Sequence, residues 1–108
     1  MQLPYAPRAV HHKHGGTILE VVRVDHHKAR PRDGLSRDTW HFVGRVQWDD
    51  GSGAPNKLYE IAPYMLCADT DEGCAEIGAL CDVMNAYLNE RGDWLDGKPY
   101  EGWYAHRP

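Results

Sequence analysis

Thr39-Trp40-His41-Phe42-Val43-Gly44-Arg45-Val46-Gln47-Trp48 decides the fold class of this chain. Trp40, Phe42, Gly44, Val46 and Trp48 alternate with Thr39, His41, Val43, Arg45 and Gln47. A period of two, with one aromatic row and one more polar row, is the pattern of an antiparallel strand buried on one face. Such a strand needs partners beside it and a layer over its apolar side.

The covering layer is encoded downstream. Asp69-Thr70-Asp71-Glu72 reads as a helix start, with Asp69 as N-cap and Glu72 completing a capping box in which Asp takes the Ser/Thr role. The acids of this first turn also suit the positive end of the helix dipole. Cys74, Ile77, Leu80, Cys81, Met84, Tyr87 and Leu88 follow at spacings of three and four, an apolar stripe, while Glu76, Asp82, Asn85 and Asn89 take the other side. Gly92 stands where a C-terminal cap belongs. The spacing predicts one amphipathic helix over about 71–91, with Ile77, Leu80, Cys81, Met84 and Leu88 on Trp40, Phe42, Val46 and Trp48. Gly44 and Gly78 are the candidates for a close approach of sheet and helix.

The partner strands lie on both sides of 39–48. Thr17 to Val24 is rich in β-branched residues, and Gly15-Gly16 before it reads as a two-residue hairpin turn pairing 9–14 with 17–24. After a Gly- and Pro-containing turn at 49–56, Lys57 to Ala62 reads as a strand with Tyr59 and Ile61 on one face, ended by Pro63. The fold class expected is α+β: a three- to four-stranded antiparallel meander with the helix on one face. A chain of 108 residues has the length of one domain. Residues 1–8 read as an extended, fraying arm, 25–38 as a long basic loop, and 93–108 as an irregular aromatic segment.

Composition shapes what the core is made of. Leu, Ile, Val and Phe make up only 19 of the 108 residues, but four Trp and six Tyr add apolar area. The expectation is a core built largely from aromatic rings, small enough that a homodimer burying more surface is a natural state. No run of about 18 apolar residues predicts a membrane span. Met1 to Arg8 lacks the order of a signal peptide, so a cytoplasmic location is expected. Cys74 and Cys81 are two helical turns apart, about 10 Å, too far for a disulfide. All three cysteines, at 67, 74 and 81, read as small buried hydrophobes.

Four features carry candidate chemistry. Charge is divided along the chain, with a formal +4 over residues 1–47, where six of the seven His lie, and −8 over 48–108. Lys28, Arg30, Arg32 and Arg37 in the basic loop suit phosphate or carboxylate, or single-stranded nucleic acid, although a net charge of −4 opposes a polyanion. His12 and His14 share a face if 9–14 is a strand, and His26-His27 follow the next strand; with His41, and Glu20 or Asp25, they are candidates for zinc or a similar ion, though at no recognised ligand spacing. His41 with Glu20 or Asp25 also suits an acid–base pair of the kind small nucleases use. Trp94, Tyr100, Trp103 and Tyr104 are candidates for a partner-binding surface.

No Gly-x-Ser-x-Gly elbow, P-loop or dinucleotide fingerprint occurs, and no cofactor is expected. The sequence therefore favours a small non-enzymatic protein-binding module, an adaptor or inhibitor, bound to another protein or to itself. A nucleic-acid binder using the 26–37 loop ranks second, and a metal-dependent or His-based acid–base enzyme third.

Overall fold

A computed structural model describes residues 1–34 and 39–91. Five strands, β1 (His11–His12), β2 (Gly16–His27), β3 (Thr39–Trp48), β4 (Tyr59–Ile61) and β5 (Leu66–Cys67), precede one helix, α1 (Asp71–Arg91). They form one antiparallel sheet of order β4-β3-β2-β1-β5. The α+β class and the helix bounds follow the sequence reading. The strand count does not: β5 is a fifth strand, and the sheet is a four-stranded meander closed by a return to β1. Two residues are too few to leave a periodic signal, so β5 is visible only through its pairing.

The ladder between β2 and β3 is the backbone of the sheet. Its register slips between Ile18 and Glu20 and again between Val21 and Arg23, leaving Leu19 and Val22 as extra residues in β2. Each β-bulge inserts one residue and bends the strand. Ile18, Val21 and Val24, spaced three apart, consequently all pair with the apolar row of β3, opposite Val46, Gly44 and Phe42. Gly44 is what admits the bulges, since a Cβ there would stand 2.0 Å from the Glu20 carbonyl oxygen. The chain also passes from Ile61 at one edge to Leu66 at the other in five residues, a reach of at most about 18 Å. Four inter-strand spacings in a flat sheet would span about 19 Å, before any offset along the strands, so the sheet must curl.

The hairpin turn between β1 and β2 differs by one residue from the sequence reading. His12 pairs with Gly16, so Lys13-His14-Gly15 form a three-residue loop with Gly15 at φ 94°, the left-handed position such loops require. β2 also runs on to His27, so the basic loop begins at Lys28 rather than residue 25. At the helix start Thr70, not Asp69, is the cap: its hydroxyl oxygen accepts from the Gly73 amide at 3.1 Å. Asp69 instead lies 3.5 Å from His11 Nε2.

The core joins Ile18, Val21, Trp40, Phe42, Val46, Ile61 and Leu66 of the sheet to Ile77, Leu80, Cys81 and Met84 of α1, together with Val10 and Ala68. Trp40 and Phe42 are its only aromatic members among the described residues, so this core is mainly aliphatic, contrary to the compositional expectation. Tyr5, Trp48, Tyr59 and Tyr87 are only partly buried and pack against it from outside. Gly78 does not mark the close approach, because nothing lies within 4 Å of a Cβ placed there. Gly73 marks a close approach of the helix to the segment before β1, with the Ala9 carbonyl oxygen 2.2 Å from such a Cβ.

Residues 1–8 are docked rather than frayed. Tyr5 exchanges both backbone hydrogen bonds with Val21, at 2.8 and 2.7 Å. Its hydroxyl donates to Glu76 Oε2 at 2.6 Å, and the Arg8 and Ala9 amides donate to the same carboxylate at 2.9–3.0 Å. Burial alone would raise the Glu76 carboxyl; the Tyr5 hydroxyl and the two amides outweigh it and hold the group below its ordinary value. No helix among the described residues is long and apolar enough to cross a membrane.

Two sets of variants check this architecture. Gly78→Ala is expected to raise stability by about 1 kcal/mol through helix propensity, whereas Gly44→Ala and Gly73→Ala each lose about 1–3 kcal/mol to overpacking; thermal denaturation measures all three. Glu76→Ala is expected to cost about 1.5–3 kcal/mol, the scale of hydrogen bonds to a charged group. Because the folded Glu76 pKa is depressed, its contribution is complete above the ordinary carboxylate range and is lost as pH falls through the folded value. The protection factors of the Tyr5 and Val21 amides, which correct for the slower intrinsic exchange in acid, should therefore fall on acidification in the parent chain, and be lower already at neutral pH in Glu76→Ala.

Candidate metal centre

The face of the sheet turned away from α1 is built by the polar row of β3 and its register partners. His41 stands opposite Asp25, Val43 between Arg23 and Glu60, and Arg45 opposite Glu20. Two charge pairs organise this surface. Arg45 Nη2 donates to Glu20 Oε2, and Arg23 Nε donates to Asp25 Oδ1 at 2.8 Å. Glu20 is thereby committed at a distance from His41.

Three other side chains converge. His27, the last residue of β2, and Glu60, the middle residue of β4, each sit diagonally to His41, two register positions away on the neighbouring strand. Diagonal neighbours lie about 7–8 Å apart along the backbone, within reach of long side chains. His27 Nε2 is 2.9 Å from Glu60 Oε1, and His41 Nδ1 is 3.2 Å from Glu60 Oε2. One ligand atom from each residue falls within 4.8 Å of the other two. The two imidazole rings are tilted by 45° at a centroid distance of 5.2 Å.

His27 Nε2 is the unusual atom of the group. It is sealed from solvent, yet it forms no hydrogen bond. Its nearest acceptor is Glu60 Oε1 at 2.9 Å, a contact that is an ion pair only when the imidazole is protonated. A buried polar atom without a well-formed hydrogen bond is costly. A metal ion approaching along the in-plane direction of that nitrogen would satisfy it. Ligand atoms bound about 2.0–2.1 Å from one tetrahedral ion lie about 3.3 Å from each other; the two imidazole–carboxylate spacings of 2.9 and 3.2 Å are near that value, and the whole set lies within 4.8 Å.

The other candidates lie elsewhere. His12 is on the covered face, 8% exposed, edge-on to Trp48 at 4.8 Å, and its Nδ1 accepts from the His14 amide at 3.1 Å. Burial, and then the nearby His14, lower its pKa, so it is a neutral part of the β1–β2 turn. His14 stands in that turn, and neither residue meets His41. His26 also points to the covered side, stacked on Trp40 at 5.1 Å. Lys28, Arg30 and Arg32 are exposed, with Arg30 3.6 Å from Asp33. Arg37, Trp94, Tyr100, Trp103 and Tyr104 lie outside the described residues.

The three cysteines are free, and Cys81 is pushed up to about 11 by burial and then by Asp82, a protonated thiol at neutral pH. Sequence reasoning kept His41 and counted His26-His27 in the same histidine cluster, but paired them with Glu20 or Asp25 and missed Glu60. Glu60 was legible by parity, as the residue between inward Tyr59 and Ile61. The facing of His27 was not, because the strand carrying it read as loop. Comparison with known proteins returns no match to a family model, a curated protein or a solved structure.

Proposed function

We propose that this chain binds one divalent transition-metal ion through His27 Nε2, His41 Nδ1 and the Glu60 carboxylate, and that this ion is its working centre. The observation that carries the reading is the convergence of three donor side chains, with His27 Nε2 2.9 Å and His41 Nδ1 3.2 Å from the two oxygens of Glu60 and the His27 nitrogen sealed from solvent. Two imidazoles and one carboxylate suit zinc, iron, cobalt or nickel better than magnesium or calcium, which prefer all-oxygen sites.

The number of ligands argues for chemistry rather than scaffolding. Structural zinc sites close the ion with four protein ligands, whereas three leave a position for water or substrate. The core packs α1 against the opposite face of the sheet, so the fold has its own support. This reading develops the metal-dependent alternative of the sequence. It is preferred to the protein-binding module, whose proposed surface at Trp94, Tyr100, Trp103 and Tyr104 is outside the described residues. It is preferred to the nucleic-acid reading because its three donors are already assembled.

Cobalt(II) titration of protein without an affinity tag tests it. One equivalent should bind with visible d–d absorption, and His27→Ala, His41→Ala and Glu60→Gln should each weaken binding at least tenfold. Binding should also weaken on acidification, because the imidazoles must release protons to ligate. Zinc at 100 times its Kd should stabilise the fold by about 2.7 kcal/mol. Absence of saturable binding, or three variants that titrate like the parent, would remove the proposal.

A further inference from the structure

Arg23 occupies the same cross-strand row as Glu60, with Val43 between them on the face that carries the proposed metal. Two inter-strand spacings separate the Arg23 and Glu60 backbones, about 10 Å, and an arginine side chain covers most of that span. Val43 is only 2% exposed although it faces away from α1, so neighbouring side chains close over it. Asp25, through its hydrogen bond and then its charge, and more weakly the Glu60 charge, raise the Arg23 pKa. The guanidinium is therefore within electrostatic reach of the triad.

Asp25 holds one edge of that guanidinium, Nε to Oδ1 at 2.8 Å and Nη2 to Oδ2 at 3.4 Å. Those bonds use two of the five N–H donors of an arginine and leave the outer edge for a second oxyanion. The Arg23 side chain is 55% exposed, so a solute reaches it. Asp25 is itself directly opposite His41, which fixes Arg23 relative to the triad. With a divalent ion bound, the charges of the ion, Glu60, Arg23 and Asp25 leave a net positive centre.

We infer that the open coordination position of the metal and the outer edge of Arg23 together bind a phosphate-class oxyanion, one oxygen on the ion and another on the guanidinium. This assignment rests on the metal reading above. It moves the anion site from the exposed loop of Lys28, Arg30 and Arg32 to the sheet face. Arg23 is a substrate-positioning group in this arrangement, and a phosphate or phosphate ester is the class of ligand that meets both partners.

The experiment is a titration of inorganic phosphate into the cobalt(II)-loaded chain, read by the visible spectrum of the ion, with calorimetry on the metal-free chain alongside. The expected result is a saturable shift of the cobalt bands and no comparable binding without metal. Arg23→Gln should bind phosphate at least tenfold more weakly while its cobalt affinity stays at the parent value, and Arg23→Lys should recover part of the loss. The double variant Arg30→Gln/Arg32→Gln should behave as the parent. Bands unmoved by phosphate, equal binding by the metal-free chain, an Arg23→Gln variant that titrates like the parent, or a loss confined to the loop variant would each overturn the inference. Failure of the metal reading is seen separately, as absence of cobalt binding before phosphate is added.

Discussion

The ladder between β2 and β3, with its two extra residues, is the constraint on which the rest of the molecule depends. An unbulged β2 would carry Ile18 and Glu20 on the same face, and Glu20 would enter the core. The bulges at Leu19 and Val22 turn Val21 inward and Glu20 outward to Arg45. Burying an unpaired carboxylate costs far more than a local break in the ladder, which is why the irregular pairing prevails. Gly44 makes room for it, because any side chain would collide with the Glu20 carbonyl.

Two insertions restore the original alternation beyond Val24, so Asp25 and His27 fall on the same side as His41. The same ladder that sorts the core therefore gathers the polar face. Curling of the sheet has a related consequence. It brings β5 to β1 after the short Pro63–Met65 turn and presents a concave apolar face to α1, leaving the other face to Arg23, Asp25, His27, His41 and Glu60. The proposed centre and its anion contact thus lie on regular strands, where backbone pairing fixes side-chain positions better than a loop would.

The arm at 1–8 shows how one carboxylate links distant parts. Glu76 read as an outward helix residue, balancing the stripe of Ile77 and Leu80. In the structure it accepts from Tyr5, Arg8 and Ala9, and so ties the N-terminal segment to both the helix and β2. Its depressed pKa has the same origin, three donors aimed at the ionised form. Nothing in the local pattern of residues 1–8 points to Glu76, since the contact spans most of the chain.

The sequence alone determined the elements whose signal is periodic. Alternation fixed β3, spacings of three and four fixed α1, and Tyr59 and Ile61 fixed the facing of β4, since burial imposes those periods locally. It also supplied His41 as a candidate ligand. Tertiary structure decided what depends on pairing between strands: the two bulges, the extension of β2 to His27, the fifth strand, and the meeting of His27 and Glu60 with His41. Those outcomes come from register, and register is set by which side chains two strands must bury together. A single segment does not carry that information, so the proposed metal site became legible only once β2, β3 and β4 were laid side by side.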